Sequence, residues 1–471
     1  MTQKIKADLC VIGAGSGGLS VAAGAAQLGR KVVLIEKGEM GGDCLNYGCV
    51  PSKALIAAAA RAEAMRSAAP FGLRSVEPEI DFSAVMDHVH AVIAAIAPHD
   101  SQERFEGFGV TVIRAAGSFV GPRTVSAGDA EIEAKHFVIA TGSAPFVPPI
   151  PGLEDVPYLT NETIFENRTR PRHLIVIGGG PIGVELAQAH RRLGAAVSIV
   201  EADTLLNRED PEAVDIVRAA LKREGVATYE KAKAARAERD GDGVRLHLDN
   251  GATLDGSHLL VAVGRRASLD ALALEKAGVE RDGGRLKLDD RLRTTNKRIY
   301  AIGDAAGGLQ FTHVAGDHAS TLVRNILFKM PAKRRDALAP RVTYCDPEIA
   351  SVGLSESEAR AQRSDIVVAR WPFKDNDRAQ AELETEGFIK AFITRKGAIL
   401  GATIVGAGAG DAIGIWAFAL ANRLKISAFT NYIAPYPTRG EVSKRAGGAF
   451  YTPTLFSDRT RTVVRLLATF D

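Results

Sequence analysis

Two cysteines pose the first chemical question. In GGDCLNYGCVPSKAL, residues 41–55, Cys44 and Cys49 stand five positions apart, while the other two cysteines, Cys10 and Cys345, are scattered. A close pair of this kind is catalytic, redox-sensing or metal-binding wherever structural disulfides are uncommon. The spacing departs from the C-x2-C knuckle of zinc sites and no second pair follows. His88, His90 and His190 show no metal-ligand spacing either, so no resident metal is expected. A working dithiol needs thiolate character, which a helix N-terminus and nearby positive charge supply. Lys53 lies just downstream.

Composition narrows the setting. The 471 residues are 46% hydrophobic and 24% charged with a formal net charge of +3, enough apolar mass for about three domains. No Lys/Arg block stands out, so neither a nucleic-acid nor a membrane partner is expected. The opening MTQKIKADLCVIGAG has no secretory h-region. The alanine-rich stretch from Ala54 to Ala69 is broken by Arg61, Glu63 and Arg66, and no run of about 18 apolar residues occurs. The expectation is a cytoplasmic protein acting on a small molecule.

The elements that must position the cysteines form a repeat. ADLCVIGAGSGG places an apolar strand before Gly13, Gly15 and Gly18, and GRKVVLIEKG supplies a second strand ending at Glu36. The first glycine permits a tight turn, the second a close approach to a pyrophosphate, and the third helix-on-strand packing. Glu36 is placed to accept from a ribose hydroxyl. The pattern returns in HLIVIGGGPIGVELAQAHRRLGAAVSIVEAD, where Gly178, Gly180, Gly183 and Glu201 each lie 165 positions after their counterparts. Two units imply two dinucleotide sites, most simply one for a flavin and one for a nicotinamide, unless one copy keeps only the glycine turn. Between them HFVIATGSAPFVPPIPG reads as a strand, a Thr141-Gly142 turn and a proline-rich domain crossing. HLLVAVGRRASLD closes the second unit at Gly264, and KRIYAIGDAAGG brings a strand to Gly303 and Asp304, before a helical LQFTHVAGDHAS. After Pro340 the runs alternate as strands with helices around them. The predicted fold is α/β: two Rossmann-like domains, the NAD domain inserted in the FAD domain, and a C-terminal α+β dimerisation domain. The expected boundaries are 1–150 with 276–340 for FAD, 151–275 for NAD(P), and 341–471 for the interface.

In order, the first fingerprint, GGDCLNYGCVPSK, ATGS, the second fingerprint with GVELA, IYAIGDAAGG and VTYCDPEIASVGLSE span nearly the whole chain. This set resembles the class I pyridine nucleotide-disulfide oxidoreductases, which include lipoamide dehydrogenase, glutathione reductase and mercuric reductase. The resemblance implies FAD, NAD(P)H and a homodimer whose site is completed in trans. It implies that Cys44 and Cys49 form a redox-active disulfide by the flavin, with Cys49 the charge-transfer thiol and Cys44 the interchange thiol. Gly41 and Gly42 would let the backbone approach the cofactor. Lys53 and Glu185 would pair beside the flavin N5, and Asp304 would bind the ribityl chain, although an aspartate there also suits a helix N-cap. His313 falls where the family places a helix start near the flavin, and no acid/base role is assigned to it. Glu201 favours a free ribose 2′-hydroxyl, hence NADH over NADPH, with Arg208 able to soften that preference.

One motif departs from the family. Lipoamide dehydrogenases and glutathione reductases carry His-Pro-Thr and a following glutamate near the C-terminus. Here APYPTRGE puts Tyr436 at the histidine position and keeps Pro437, Thr438 and Glu441. A free phenol has a pKa of about 10, so it donates a hydrogen bond near neutrality but is a poor base. The tyrosine is similar to that of mercuric reductases, whose vicinal C-terminal cysteines have no counterpart in a sequence whose last cysteine is Cys345, and whose optional N-terminal metal-binding domain is not expected here. The tail after Lys444 is moderately basic and partly amphipathic, and is expected to be a dimer-packing or surface helix rather than a membrane contact. The leading expectation is an NADH-driven flavoenzyme passing electrons through the dithiol to a disulfide, thiol-bound or soft-metal substrate. Alternatives are a mercuric reductase, a dihydrolipoyl dehydrogenase and, in a different class, a flavoprotein redox sensor.

Overall fold

The first strand, β1 (Gln3–Ile12), is exposed where it begins and fully buried over its last four residues, CVI preceded by Leu9. That switch marks entry into a sheet covered on both faces. The computed structural model describes residues 3–470. It forms two units, one of residues up to 178, 189–202 and 232–336, the other of 179–188, 203–231 and 337 onward.

In the first unit, β1 is followed by α1 (Ser16–Gln27), β2 (Val32–Ile35), α2 (Cys49–Arg66) and β3 (Ala130–Ile139). The second fingerprint contributes β4 (His173–Ile177), β5 (Ala196–Glu201) and β6 (His258–Val261), and the chain returns through β7 (Ile299–Ala301) and α3 (Thr312–Ile326). Parallel pairing sets Ile12 opposite both Ile35 and Ile139, and Ile139 opposite Ala301. This register delivers Gly13, Glu36, Thr141 and Gly303 to one carboxyl edge, where ligands of open α/β sheets bind. Likewise Ile177 faces Val200 and Val261, so Gly178, Glu201 and Gly264 share the carboxyl edge of the second sheet. Small residues bring α1 close to α3: a Cβ on Gly17 would meet Ala315 Cβ at 3.3 Å and one on Gly24 would meet Val323 at 3.5 Å.

The second unit holds a five-stranded antiparallel sheet of β8 (Arg341–Thr343), β9 (Glu348–Gly353), β10 (Ile366–Pro372), β11 (Phe388–Thr394) and β12 (Ile399–Gly406), ordered β8-β9-β12-β11-β10. β11 is buried throughout. Trp416, fully buried, stacks on Phe429 with centroids 4.0 Å apart and donates through Nε1 to Ser443 Oγ at 2.9 Å, which satisfies its one polar group. Ser443 belongs to α4 (Glu441–Leu455), which is followed by α5 (Asp458–Leu467). Among the described residues no helix is long and apolar enough to cross a membrane.

Candidate functional site

Cys49 opens α2, an 18-residue helix whose N-cap is Gly48 with no side-chain cap. The first-turn amides and the dipole therefore favour negative charge at its sulfur. Cys44 sits one short turn earlier, in the helix Gly42–Asn46. The two are hydrogen-bonded in the reduced state, and Cys49 Sγ also lies 3.5 Å from Thr312 Oγ1 at the start of α3. The bond from Cys44, then that from Thr312 and the charge of Lys53, lower the Cys49 thiol to about 6 against burial and Asp43. Cys44 is held far above the ordinary thiol range by the same bond and by burial. The pair is thus split into a thiolate and a proton-bearing thiol. Cys10 and Cys345 are buried, and burial pushes both thiols up.

The glycine loop and the cysteine segment are docked on each other. Gly41 N donates to Ala14 O at 3.0 Å, and a Cβ on Gly42, whose φ is +60°, would stand 2.7 Å from Gly15 Cα. The first unit's groups fit a flavin dinucleotide. Gly13, with φ +109°, and Gly18 admit no Cβ, which would meet Ala140 O at 2.2 Å and Gly13 O at 1.9 Å, whereas at Gly15 the nearest atom is 4.0 Å away. The outer glycines are required by packing, and the middle one leaves the backbone open to a pyrophosphate. Glu36 Oε2 accepts from Ala14 N at 2.6 Å and Oε1 from Gly38 N at 2.7 Å, so it braces the loop while keeping lone pairs for a ribose. Thr141 Oγ1 is buried with no hydrogen-bond partner among the described residues, and the adjacent Gly142 has φ +66° with nothing within 4 Å of a Cβ. In the second fingerprint Gly178, φ +112°, would clash with Ala262 O at 2.4 Å, while Gly180 is open. Gly183 lies in the helix Pro181–Arg192, Gly264 has φ +125°, and Glu201 is half-buried at the end of β5.

Asp304 lies inside a short 3-10 turn, Gly303–Ala306, whose N-cap is Ile302. It is not a helix cap. Its Oδ2 accepts from Ser143 Oγ at 2.5 Å, and burial raises its pKa against that bond and Arg265. Here the structure adds residues that sequence spacing did not disclose. Arg265 donates to Ser143 Oγ at 2.7 Å, to Ser143 O at 2.9 Å and to Asp43 Oδ1 at 2.8 Å, and Asn161 Nδ2 reaches the same Asp43 oxygen at 3.1 Å. One guanidinium thus links the cysteine segment, the ATGS turn and, through Ser143, Asp304. The Arg265-Arg266 pair after Gly264 was a visible signal without a visible partner. Thr312 was equally hidden beside the more conspicuous His313, whose ring stacks on Phe311 with centroids 5.3 Å apart.

Lys53 Nζ donates to Ser52 Oγ at 3.3 Å. Glu185, 6% exposed, belongs to the other unit and accepts from Tyr344 N at 2.9 Å. Tyr436 is 68% exposed and donates through Oη to Asp377 Oδ2 at 2.7 Å, a bond that raises its pKa. Its loop is laced to the short helix Asp377–Ala381: Asn376 Nδ2 donates to Thr438 O at 3.0 Å, and Arg439 pairs with Glu382 and Glu384. Glu441 is paired with Arg445 at 2.8 Å, one turn along α4. The carboxylate on the tyrosine is therefore Asp377, and Glu441 is engaged elsewhere. No group of three or more His, Cys, Asp or Glu among the described residues could hold a metal ion.

Residues 7–319 match the pyridine nucleotide-disulphide oxidoreductase family and residues 339–446 the dimerisation domain of the same family. A mercuric reductase of Streptomyces lividans is 34% identical over 454 residues, 94% of this chain and 96% of the relative. A dihydrolipoyl dehydrogenase of Geobacillus stearothermophilus is 34% identical over 453 residues, again 94% and 96%. Among solved structures, the Cu(II) complex of the HOCl-induced flavoprotein disulfide reductase RclA from Escherichia coli aligns with a TM-score of 0.84 and 28% identity, over 94% of this chain and 99% of that one. The chain belongs to the pyridine nucleotide-disulphide oxidoreductases, and it is an FAD-dependent enzyme of that family carrying its dimerisation domain.

Proposed function

We propose that this flavoenzyme uses NADH to reduce a soft-metal, thiol-bound or disulfide substrate through Cys44 and Cys49. The observation that supports it best is the split thiol pair at the start of α2, docked on the first glycine loop. Bound FAD would supply hydride acceptance from the nicotinamide and two-electron delivery to the cysteines. Gly13, Gly15, Gly18, Glu36, Thr141, Gly142 and Asp304 hold it, in a domain of residues 1–150 and 276–340. Gly178, Gly180, Gly183, Glu201 and Gly264 hold the nicotinamide dinucleotide in 151–275. Lys53 would stand beside the flavin ring, and residues 341–471 make the homodimer that brings Tyr436 to the partner's thiols.

Cys49 is the thiolate kept next to the flavin, and Cys44 is the thiol that meets substrate. With a disulfide substrate, Cys44 gives up its proton and attacks one sulfur, releasing a thiolate. Cys49 then displaces the second thiol as the Cys44–Cys49 disulfide closes. That route needs a base for Cys44. Tyr436 donates to Asp377 and Glu441 is held by Arg445, so neither is disposed as one. This favours an acceptor that itself drives thiol deprotonation, such as a soft metal ion. The names of the mercuric reductase relatives and of the Cu(II)-bound RclA structure agree with this preference. NADH oxidation assayed with mercuric ion, Cu(II), lipoamide, glutathione disulfide and quinones tests it. Turnover highest with the metal ions, and lost in Cys44→Ser, is expected. Highest turnover with lipoamide would select the dehydrogenase reading, and full flavin reduction with no turnover on any acceptor the sensor reading.

A further inference from the structure

The segment DRTRTVVRLL forms α5, which lies wholly beyond the family's dimerisation domain, whose match ends at residue 446. Every residue from 461 to 470 is exposed. Five of these are large apolar side chains, namely Val463, Val464, Leu466, Leu467 and Phe470, with Phe470 86% exposed; Leu455 and Phe456 just before the helix are also exposed. At about 100° per residue, the four apolar residues inside the helix fall within an arc of about 160°. Arg461 and Arg465 point to the opposite side, while Arg459 falls inside the apolar arc, about 20° from its edge. The helix carries these three arginines against the single acid Asp458.

An apolar stripe of this width is costly to leave in water, and none of the described residues covers it. The match to the family's dimerisation domain ends at residue 446, before the helix begins, so the stripe lies outside the matched segment. Low overall hydrophobicity, a leucine and valine face and an arginine-rich polar face are the features of helices that lie in the plane of a membrane surface, where guanidinium groups meet anionic headgroups. We propose that α5 is a peripheral membrane-binding helix that seats the enzyme on an anionic lipid surface. It lies on the bilayer rather than through it, since about 20 apolar residues would be needed to span one. One such short helix binds weakly, and two in a homodimer reinforce each other through effective concentration.

Co-sedimentation of the FAD-loaded enzyme with vesicles of phosphatidylcholine containing a minor share of phosphatidylglycerol, against phosphatidylcholine alone, tests this. Pelleting with the anionic vesicles, weakened by salt, is expected. Removing Arg461 or Arg465 by substitution to alanine should raise the lipid needed for half-binding by about fivefold each. Leu466→Asp with Leu467→Asp should abolish pelleting and leave reduction of the bound flavin by NADH unchanged. Absence of pelleting, or equal pelleting with both vesicles, overturns the proposal. So does a wild type that ignores vesicles while the double aspartate variant falls from dimer to monomer in sedimentation velocity, because the stripe would then belong to a second copy.

Discussion

Removing the hydrogen bond from Cys44 is the sharpest probe of how the thiol pair is split. With its pKa lowered to about 6, Cys49 is about 90% thiolate at pH 7, against about 3% for an unperturbed thiol near 8.5. Cys44→Ala deletes the main cause of the lowering and leaves only Thr312, Lys53 and the helix start. The midpoint of Cys49 alkylation should therefore move from about 6 toward 8 or above. The rate at pH 7 is a poor readout. Thiolate nucleophilicity falls with pKa at a Brønsted slope of about 0.4–0.5, so a roughly thirtyfold loss of thiolate is offset by a roughly tenfold gain in its reactivity, a net fall of about two- to threefold. The two pH profiles should cross, with the variant faster at alkaline pH. Iodoacetamide labelling of the reduced protein across pH 5–10, with the modified peptide quantified by mass spectrometry, separates Cys49 from buried Cys10 and Cys345. A wild-type midpoint above 8, or an unchanged midpoint in Cys44→Ala, would refute the assignment of Cys49 as the resident thiolate.

Other outcomes follow from the same geometry. Tyr436→Phe should slow reoxidation of the reduced enzyme by its substrate, by at most about 10²-fold for a hydrogen-bond donor, and leave flavin reduction by NADH unchanged in rapid mixing. An unaffected reoxidation with every active acceptor would leave the phenol no chemical role. Arg265→Ala strips Asp43 and Ser143 of a buried guanidinium, and should lower unfolding stability by about 2 kcal/mol in denaturant titration, given that Asp43 itself is partly exposed. Arg265→Lys should restore little, because an ammonium cannot span Ser143 and Asp43 together. Wild-type kcat/KM should be higher for NADH than for NADPH, and Glu201→Ala should narrow the gap by removing a carboxylate that repels a 2′-phosphate. A wild-type preference for NADPH would show that Glu201 does not read the ribose.

Much of the molecule is written in local pattern. Each glycine fingerprint is a contiguous code, because tight turn, pyrophosphate approach and helix packing are all solved within one strand-turn-helix, and the 165-residue offset shows it twice. The cysteine pair is local for the same reason: five residues place one thiol in a short helix and the other at the start of the next. What the sequence could not disclose are partnerships between residues far apart. Arg265 meets Asp43 across 222 positions, and Cys49 meets Thr312 across 263. Such pairs are set by which strand ends converge at a sheet's carboxyl edge, a consequence of register between β1, β3 and β7 that no spacing in the chain records. The partner of Tyr436 was hidden in the same way. The motif keeps Glu441 five residues on, but helical geometry turns that glutamate along α4 to Arg445, and the loop's attachment to the helix at residue 377 hands the phenol to Asp377 instead. Sequence determined which groups are present and which local turns they make; tertiary packing decided which charges and hydroxyls face one another, because those distances depend on how elements remote in sequence are laid side by side.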